Sequence, residues 1–102
     1  HQFCKIGDFA FIGGGLRIVQ DVPPFILAMG EPLKFSGLNI VGLRRNQFSS
    51  ELRSNIKKAY SIIYKSDMNI TQAISAIKKI FKKIPEIDQI IKFINNSNRG
   101  LI

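Results

Sequence analysis

Three units of six residues follow one another near the start of the chain, at residues 6–11, 12–17 and 18–23. Each unit begins with isoleucine, has a small or β-branched residue in second place, and has Ala, Leu or Val in fifth place. This repeat predicts short strands joined by turns that wind into a parallel β-helix. Because such coils bury their apolar faces only by stacking, about three or more repeating layers are needed for stability. We therefore interpret residues 1–23 as the end of a longer β-helix, whose further coils come from upstream sequence or from another chain.

Two adjacent prolines, Pro23 and Pro24, end the repeat. Proline continues neither the interior of a strand nor that of a helix, and Gly30, Pro32 and Gly37 keep the following stretch irregular. The same stretch is rich in large apolar residues, namely Phe25, Ile26, Leu27, Phe35, Leu38, Ile40 and Leu43. We predict that residues 24–48 form an irregular connector that contains extended pieces and packs on the end of the β-helix.

Beyond residue 48 the spacing of apolar residues changes from six to about 3.6, which is typical of amphipathic helices. The pattern predicts one helix at about residues 50–65, a second that ends at about residue 83, and a third that begins at Pro85. Each helix has a single apolar stripe. We therefore predict that residues 49–102 form a small three-helix C-terminal domain that packs on the end of the β-helix.

Two polar residues have the features of helix starts. Ser49 is a predicted N-cap with Glu51 in the first turn, and Asn69 followed by Gln72 is the pattern of a capping box.

The chain is strongly basic, with 15 Lys and Arg against seven Asp and Glu and a formal net charge of +8. The excess lies mainly after residue 48 and favours an acidic partner without specifying which one. No apolar stretch reaches the roughly 20 residues that cross a bilayer, so no membrane span is expected. The single cysteine, Cys4, suits a reducing compartment, which predicts a cytoplasmic location.

The remaining composition argues against several kinds of site. The tyrosines and most of the phenylalanines in the helices fall on apolar stripes, and no nucleic-acid signature accompanies the basic charge, so we expect no nucleic acid as a partner. His1 and Cys4 are the only histidine and cysteine and do not make a ligand set, so we expect neither a metal nor another cofactor.

Five segments resemble one family, in the same order along the chain: HQFC, QDVPPF, GLNIVGLRR, AYSIIYKS and RGLI. The family is that of the UDP-N-acetylglucosamine O-acyltransferases, and the resemblance extends over essentially the whole sequence. It implies an α+β fold, in which the last coil of a left-handed parallel β-helix is followed by a helical C-terminal domain. It also implies a homotrimer with active sites between neighbouring subunits.

The activity implied by the resemblance is the transfer of a 3-hydroxyacyl chain from acyl carrier protein to the 3-hydroxyl of UDP-N-acetylglucosamine, the first step of lipid A synthesis. In that family a histidine of an earlier coil is the general base. That histidine is absent from this sequence, so we expect no catalytic residue in these 102 residues and no activity from them alone.

The same resemblance suggests where substrates bind. His1 and Gln2 match residues that contact substrate, Asn39 and Arg45 match residues that bind the nucleotide end, and Gly14 matches a glycine that acts as an acyl-chain ruler. Each has a simpler interpretation, since His1 is a lone terminal histidine, Gly14 suits a tight corner, and Arg45 belongs to a basic pair in a loop.

Two positions depart from the family pattern in the nucleotide-binding stretch. Val41 stands in place of a carboxylate, and Asn46 stands in place of a second arginine. A valine accepts no hydrogen bond from ribose, and an asparagine carries no charge to oppose a diphosphate.

Two alternative functions remain open from the sequence. One is the N-acyltransferase that acts later in the same pathway, although its resemblance to the C-terminal motifs is poorer. The other is a stand-alone basic helical module that binds acyl carrier protein or nucleic acid. Separately, a group of lysines opposite the apolar stripe of the second helix is more often only a solvated face, but beside the active-site cleft it would favour docking of the acidic acyl carrier protein: Lys78, Lys79, Lys82 and Lys83.

Overall fold

Strands come first along the chain and helices follow, in a computed structural model that describes residues 4–14 and 17–102. The strands are β1 (Phe11–Gly13), β2 (Ile26–Met29) and β3 (Lys34–Leu38), and the helices are α1 (Ile40–Arg45), α2 (Ser50–Lys65), α3 (Ile70–Ile80) and α4 (Pro85–Asn95). The predicted α+β class is confirmed. Among the described residues no helix is long and apolar enough to cross a membrane.

The predicted coil exists, but its period differs from the one expected. β1 pairs with β2 in parallel with Phe11 opposite Leu27, and an isolated parallel bridge joins Ile6 to Val22. Both pairs are 16 residues apart, whereas three units of six predict 18. At a spacing of 18, Pro24 would lie opposite Ile6, and its nitrogen has no hydrogen to donate to the ladder.

The ladder instead uses residues on either side of the two prolines. The Val22 N–H donates to the Lys5 carbonyl at 2.8 Å, and the Phe25 N–H donates to the Asp8 carbonyl at 2.8 Å. Pro24 packs where a side chain of Gly7 would lie, since a Cβ on Gly7 would approach the Pro24 Cα to 2.6 Å. The glycine in the first repeat unit is therefore required by the proline of the next coil.

The stretch predicted as an irregular connector is more regular than expected. β2 continues the parallel ladder, β3 pairs with β2 in antiparallel register, and the six residues of α1 follow. The predicted extended pieces are confirmed by β2 and β3. The prediction of irregular structure is wrong at Ile40–Arg45, which form α1. A helix of fewer than two turns shows no repeated apolar stripe, so periodicity gave no signal for it.

The three longer helices occur where the sequence predicted them. The side chain of Ser49 accepts from the Leu52 N–H at the start of α2, and both hydrogen bonds of the Asn69–Gln72 capping box are present. α3 ends at Ile80 rather than at residue 83. Phe81, directly after α3, is already extended with φ −112° and ψ 124°, and Lys83 has φ 60°. Ile84 is extended as well, because the residue before a proline is disfavoured in the helical region.

The core lies between the last coil and the helices. All four stripe residues of α4 are buried, together with Ile77 of α3 and Ile56, Ala59 and Tyr60 of α2. Two isoleucines of the predicted apolar face of the second helix are instead about half exposed, Ile70 (43%) and Ile80 (49%), and so is Ile40 (51%), which was predicted as an apolar residue of the packed connector. Each is the first or last residue of its helix.

The end of the chain returns to the coil and pairs with it. Leu101 forms a parallel bridge with Asp21, and the Ile102 N–H donates to the Asp21 carbonyl at 3.0 Å. The Asp21 side chain is fully buried and accepts from the Lys5 N–H at 2.7 Å and from the Ser97 hydroxyl at 2.6 Å. We refer to Asp21, Lys5 and Ser97 as the Asp21 cluster, and it joins the coil to the segment after α4.

Asp21 remains ionised in this setting. Burial by itself raises the pKa of the carboxyl group, but hydrogen bonds from the Ser97 hydroxyl and from the Lys5 and Arg99 backbone, with the charge of Lys5, outweigh burial. The pKa of Asp21 is therefore lowered from its ordinary value of 3.8.

Candidate functional site

The short helix α1 carries two of the predicted binding residues, one at each end. Asn39 is its N-cap and accepts from the Gly42 N–H through Oδ1 at 3.1 Å. The Asn39 backbone N–H donates to the Phe25 carbonyl at 2.9 Å, and its side-chain Nδ2 donates to the Phe9 carbonyl at 2.9 Å. Asn39 is therefore fixed against two successive turns of the coil.

These contacts determine how many hydrogen-bonding groups of the Asn39 side chain remain for a ligand. An amide side chain has two donor hydrogens and two acceptor lone pairs, and one of each is used inside the chain. One donor hydrogen and one lone pair of the Asn39 amide therefore remain, in an orientation fixed by the two internal hydrogen bonds. Gly42 is part of this arrangement, because a Cβ at that position would lie 2.9 Å from the Asn39 Cγ. A side chain at Gly42 would displace the Asn39 amide.

Arg45 ends α1 on an exposed face. Val41, one turn earlier on that face, is 61% exposed. Arg44 and Arg45 both lie in the last turn, where their charges complement the carbonyl end of the helix. The Asn46 side chain donates to the Gly42 carbonyl at 2.7 Å. Asn46 thus closes the helix, which leaves the two arginines as the cations of this segment.

Gly14 follows β1 with φ 71°, a conformation that favours glycine. A Cβ there would meet nothing within 4 Å. Its neighbour Gly13 differs, because a Cβ there would lie 2.5 Å from the Met29 Sδ. The backbone conformation favours glycine at Gly14, whereas a side chain at Gly13 would meet the flexible end of the Met29 side chain, which would have to move. Among residues 4–14 and 17–102, the space beside Gly14 is therefore open.

The structure brings some of the predicted residues together and leaves others apart. Asn39 contacts the coil through Phe9 and Phe25, and Arg45 lies about 9 Å further along α1 by helical rise. Gly14 lies at the end of β1, and no hydrogen bond within the described ranges 4–14 and 17–102 joins it to either residue. His1 and Gln2 lie outside the described residues, so their substrate-binding role stays a prediction.

Two features of this region had no signal in the sequence. Phe9 has φ 58°, and its ring lies 5.3 Å from that of Phe48 and 6.3 Å from that of Phe25, so three aromatic rings support the loop before α1. The second feature is a cleft of about 600 Å³ between β3 and α2, which we refer to as the β3–α2 cleft. Both result from contacts between residues far apart in the sequence.

Comparisons with known proteins agree on one family. The family model described as "Udp N-acetylglucosamine O-acyltransferase; Domain 2" matches residues 21–102. An acyl-[acyl-carrier-protein]–UDP-N-acetylglucosamine O-acyltransferase of Halorhodospira halophila is 41% identical over 102 residues, which are 100% of this chain and 40% of that protein. The corresponding protein of Myxococcus xanthus is 38% identical over 101 residues, 99% of this chain and 39% of the relative.

Solved structures give the same result for the fold. The UDP-N-acetylglucosamine acyltransferase of Bacteroides fragilis superposes with a TM-score of 0.95 at 47% identity, over 100% of this chain and 40% of that one. The Arabidopsis UDP-N-acetylglucosamine acyltransferase gives a TM-score of 0.89 at 33% identity, over 99% of this chain and 38% of that one. The predicted terminal coil of a left-handed β-helix with a helical domain is confirmed by these likenesses.

The chain thus spans about two fifths of the length of the relatives that it matches. Within that span the match runs through the last coil, α1 and its two ends, and the helices to the final residue. The chain belongs to the UDP-N-acetylglucosamine O-acyltransferase family.

Proposed function

We propose that the protein carrying this chain transfers a 3-hydroxyacyl chain from acyl carrier protein to the 3-hydroxyl of UDP-N-acetylglucosamine, the first step of lipid A synthesis. The observation that carries the proposal is the match to O-acyltransferases over the whole chain. The test is an assay of the full-length protein with a 3-hydroxyacyl thioester of acyl carrier protein. Acylation of the sugar hydroxyl is expected, and acylation only of an amino-sugar acceptor would favour the later N-acyltransferase instead.

The proposed reaction is the transfer of an acyl group from a thioester sulfur to a sugar oxygen. The sugar 3-oxygen attacks the thioester carbonyl and forms the C–O bond of the new ester while a base takes its proton. The C–S bond breaks, and the departing thiolate takes that proton from the base to give the free carrier thiol. A sugar hydroxyl is a poor nucleophile at neutral pH, so a base such as imidazole contributes about 10²- to 10⁴-fold. The only histidine of this sequence is His1, so we assign the base to a part of the protein outside these residues.

In this proposal the chain supplies binding rather than proton transfer, and the 102 residues alone are inactive. We divide it into the end of the β-helix at residues 1–23, the connector at 24–48 and the helical domain at 49–102. We further propose a homotrimer with sites between subunits. The open space beside Gly14 and the exposed face of α1 support this, since both point away from the core of their own chain.

A cytoplasmic location completes the proposal. The Cys4 thiol is free and donates to the Ile18 carbonyl at 3.5 Å, which is compatible with a reducing compartment. Acyl carrier protein is the proposed acyl donor, and its acidic surface complements the net charge of +8.

Arg45 gives the first test of the proposed nucleotide site. Charge-assisted hydrogen bonds contribute about 1.5–3 kcal/mol each, so Arg45→Ala is expected to lower kcat/KM for UDP-N-acetylglucosamine by about 10- to 100-fold. The loss should appear in KM for the sugar nucleotide rather than in KM for the acyl donor. Steady-state kinetics of the full-length protein measure both. Arg44→Ala, which removes the same charge from the same turn of α1, is the matched control, and equal losses in both variants would contradict a specific role for Arg45.

Gly14 tests the acyl side of the proposed site. Gly14→Met places a long side chain in the open space beside β1, so long 3-hydroxyacyl donors should be rejected and shorter ones kept. Each methylene excluded from an apolar groove changes selectivity by about tenfold or more. Rates with a series of donors of increasing chain length measure the shift. Gly14→Ala is the control, because it has the same backbone strain with a short side chain and should keep the wild-type preference for chain length. An unchanged chain-length preference in Gly14→Met would contradict the ruler role.

A further inference from the structure

The β3–α2 cleft lies outside the set of residues assigned to the proposed reaction. Its volume of about 600 Å³ is within the range of roughly 300–1,000 Å³ that is usual for small-molecule sites. Its walls are apolar, formed by Leu27 of β2, Phe35 and Leu38 of β3, and Tyr60 of α2, with Ile40 of α1 at one end. Half of the Ile40 surface is exposed in this setting.

The two aromatic rings of this wall, those of Tyr60 and Phe35, are fixed by contacts on their sides away from the cleft. The Tyr60 hydroxyl donates to the Pro24 carbonyl at 2.6 Å, and the Phe35 ring stacks on the Tyr64 ring at 4.3 Å. Burial raises the pKa of Tyr60 well above 10, with the neighbouring Tyr64 adding to the shift, so the phenol stays neutral. The wall therefore presents preformed hydrocarbon surface without a free polar group at its base.

The charged side chains that line the cleft are all positive. Lys57 and Lys65 line it together with Ser61, and all three lie on one side of α2 at intervals of four residues. The two lysines are about 12 Å apart along the helix. Neither has a hydrogen bond or an ion pair within residues 4–14 and 17–102, and no carboxylate lines the cleft there. An anion is therefore the only charged group that this cleft favours.

The lining also distinguishes between kinds of anion. Reading a nucleotide base needs amide, carboxylate or guanidinium groups with paired donors and acceptors. The described lining has none of these among its side chains, whose polar groups besides the Tyr60 hydroxyl are the hydroxyls of Ser36 and Ser61 and the two ammonium groups; the Ser36 hydroxyl already donates to the Lys34 carbonyl. A long apolar body with a single anionic head matches these groups better than a nucleotide does.

We propose that the β3–α2 cleft binds a single-chain amphiphilic anion of the fatty-acid type, with its hydrocarbon chain against Phe35, Leu38 and Tyr60 and its head group at Lys57 or Lys65. This site is separate from the acyl position proposed at Gly14, and it does not depend on the proposed acyltransferase reaction.

The test is calorimetric titration of the full-length protein with dodecanoate, below the concentration at which it forms micelles. The double variant Lys57→Ala/Lys65→Ala is expected to weaken binding about tenfold, and Ser61→Trp, which fills the cleft while keeping both lysines, is expected to abolish it. The uncharged 1-dodecanol should bind about as weakly to the wild type as dodecanoate binds to the double variant.

Matched controls keep the outcome decisive. Lys58→Ala/Lys78→Ala removes the same net charge from α2 and α3 outside the cleft lining, and Gly14→Met obstructs the proposed acyl position, so both should keep wild-type affinity at the cleft. Wild-type affinity in the lysine double variant and in Ser61→Trp would overturn the proposal. So would loss of binding in Gly14→Met alone, which would assign the ligand to the acyl position. The proposal would also be overturned if a second copy or an acidic protein closes the cleft. Hydrogen exchange detects this as a concentration-dependent protection of residues 35–38 that dodecanoate does not relieve.

Discussion

Asp21→Asn is expected to destabilise the protein by about 2–3 kcal/mol at neutral pH, because buried donors then lose a charged acceptor. The Lys5 N–H and the Ser97 hydroxyl both donate to this fully buried carboxylate, and Asp21 also pairs through its backbone with the end of the chain. Urea unfolding at pH 7 measures the loss. Asp67→Asn is the matched control, since Asp67 is exposed between α2 and α3 and the same chemical change there should cost little.

The pH dependence of stability is a second test of the contribution from ionised Asp21. The pKa of Asp21 is lower in the folded chain than its ordinary value of 3.8, so the folded state favours the ionised form. The resulting stability is fully present above pH 3.8 and is lost as the pH falls through the lower pKa of the folded state. The stability difference between wild type and Asp21→Asn should therefore shrink below about pH 4. A constant difference down to the lowest accessible pH would contradict this account of the Asp21 cluster.

Gly7→Ala is expected to be the most disruptive single-methyl change in the coil. The added Cβ would lie 2.6 Å from the Pro24 Cα and 2.7 Å from its Cδ, which is inside van der Waals contact with backbone that cannot rotate away. Gly7 also donates to the Val22 carbonyl at 2.7 Å, so relief of the clash requires loss of a ladder hydrogen bond. We expect a loss of about 3 kcal/mol in the free energy of unfolding, the upper end of what overpacking usually costs.

Gly14→Ala is the matched control for this change. It adds the same methyl group to the same coil, but nothing lies within 4 Å of it, and only the positive φ of 71° opposes it. That conformation costs about 1–2 kcal/mol for a residue with a side chain. Comparison of the two variants by thermal and urea unfolding separates the clash from the backbone preference. Equal destabilisation would show that close packing against Pro24 is not what requires Gly7.

The residues that specify local structure could be identified from the sequence alone. Ser49, Asn69 with Gln72, and Pro85 define the starts of α2, α3 and α4, because each acts through hydrogen bonds or backbone angles within a few residues. The resemblance to the acyltransferase family also came from the sequence, since it rests on motifs spread over its whole length. These features need no knowledge of what packs against them.

Contacts between distant residues account for what the sequence did not predict. The 16-residue step of the last coil follows from Pro24 packing on Gly7, and the Asn39 amide is held on the coil by its hydrogen bond to the Phe9 carbonyl 30 residues away. Asn46 stands where the family pattern has a second arginine, and only the structure shows that its amide closes α1 on the Gly42 carbonyl. A side chain's free hydrogen-bonding groups are known only when its internal partners are known.

The sequence by itself determined the family, the class of fold and the places where the three long helices begin, because capping, proline geometry and helical periodicity act over short distances. Only the tertiary structure decided the step of the coil, the burial of the Asp21 carboxylate and the β3–α2 cleft. Each of these depends on which surfaces meet after the chain has turned back on itself, and close packing leaves no freedom to change one surface without the other.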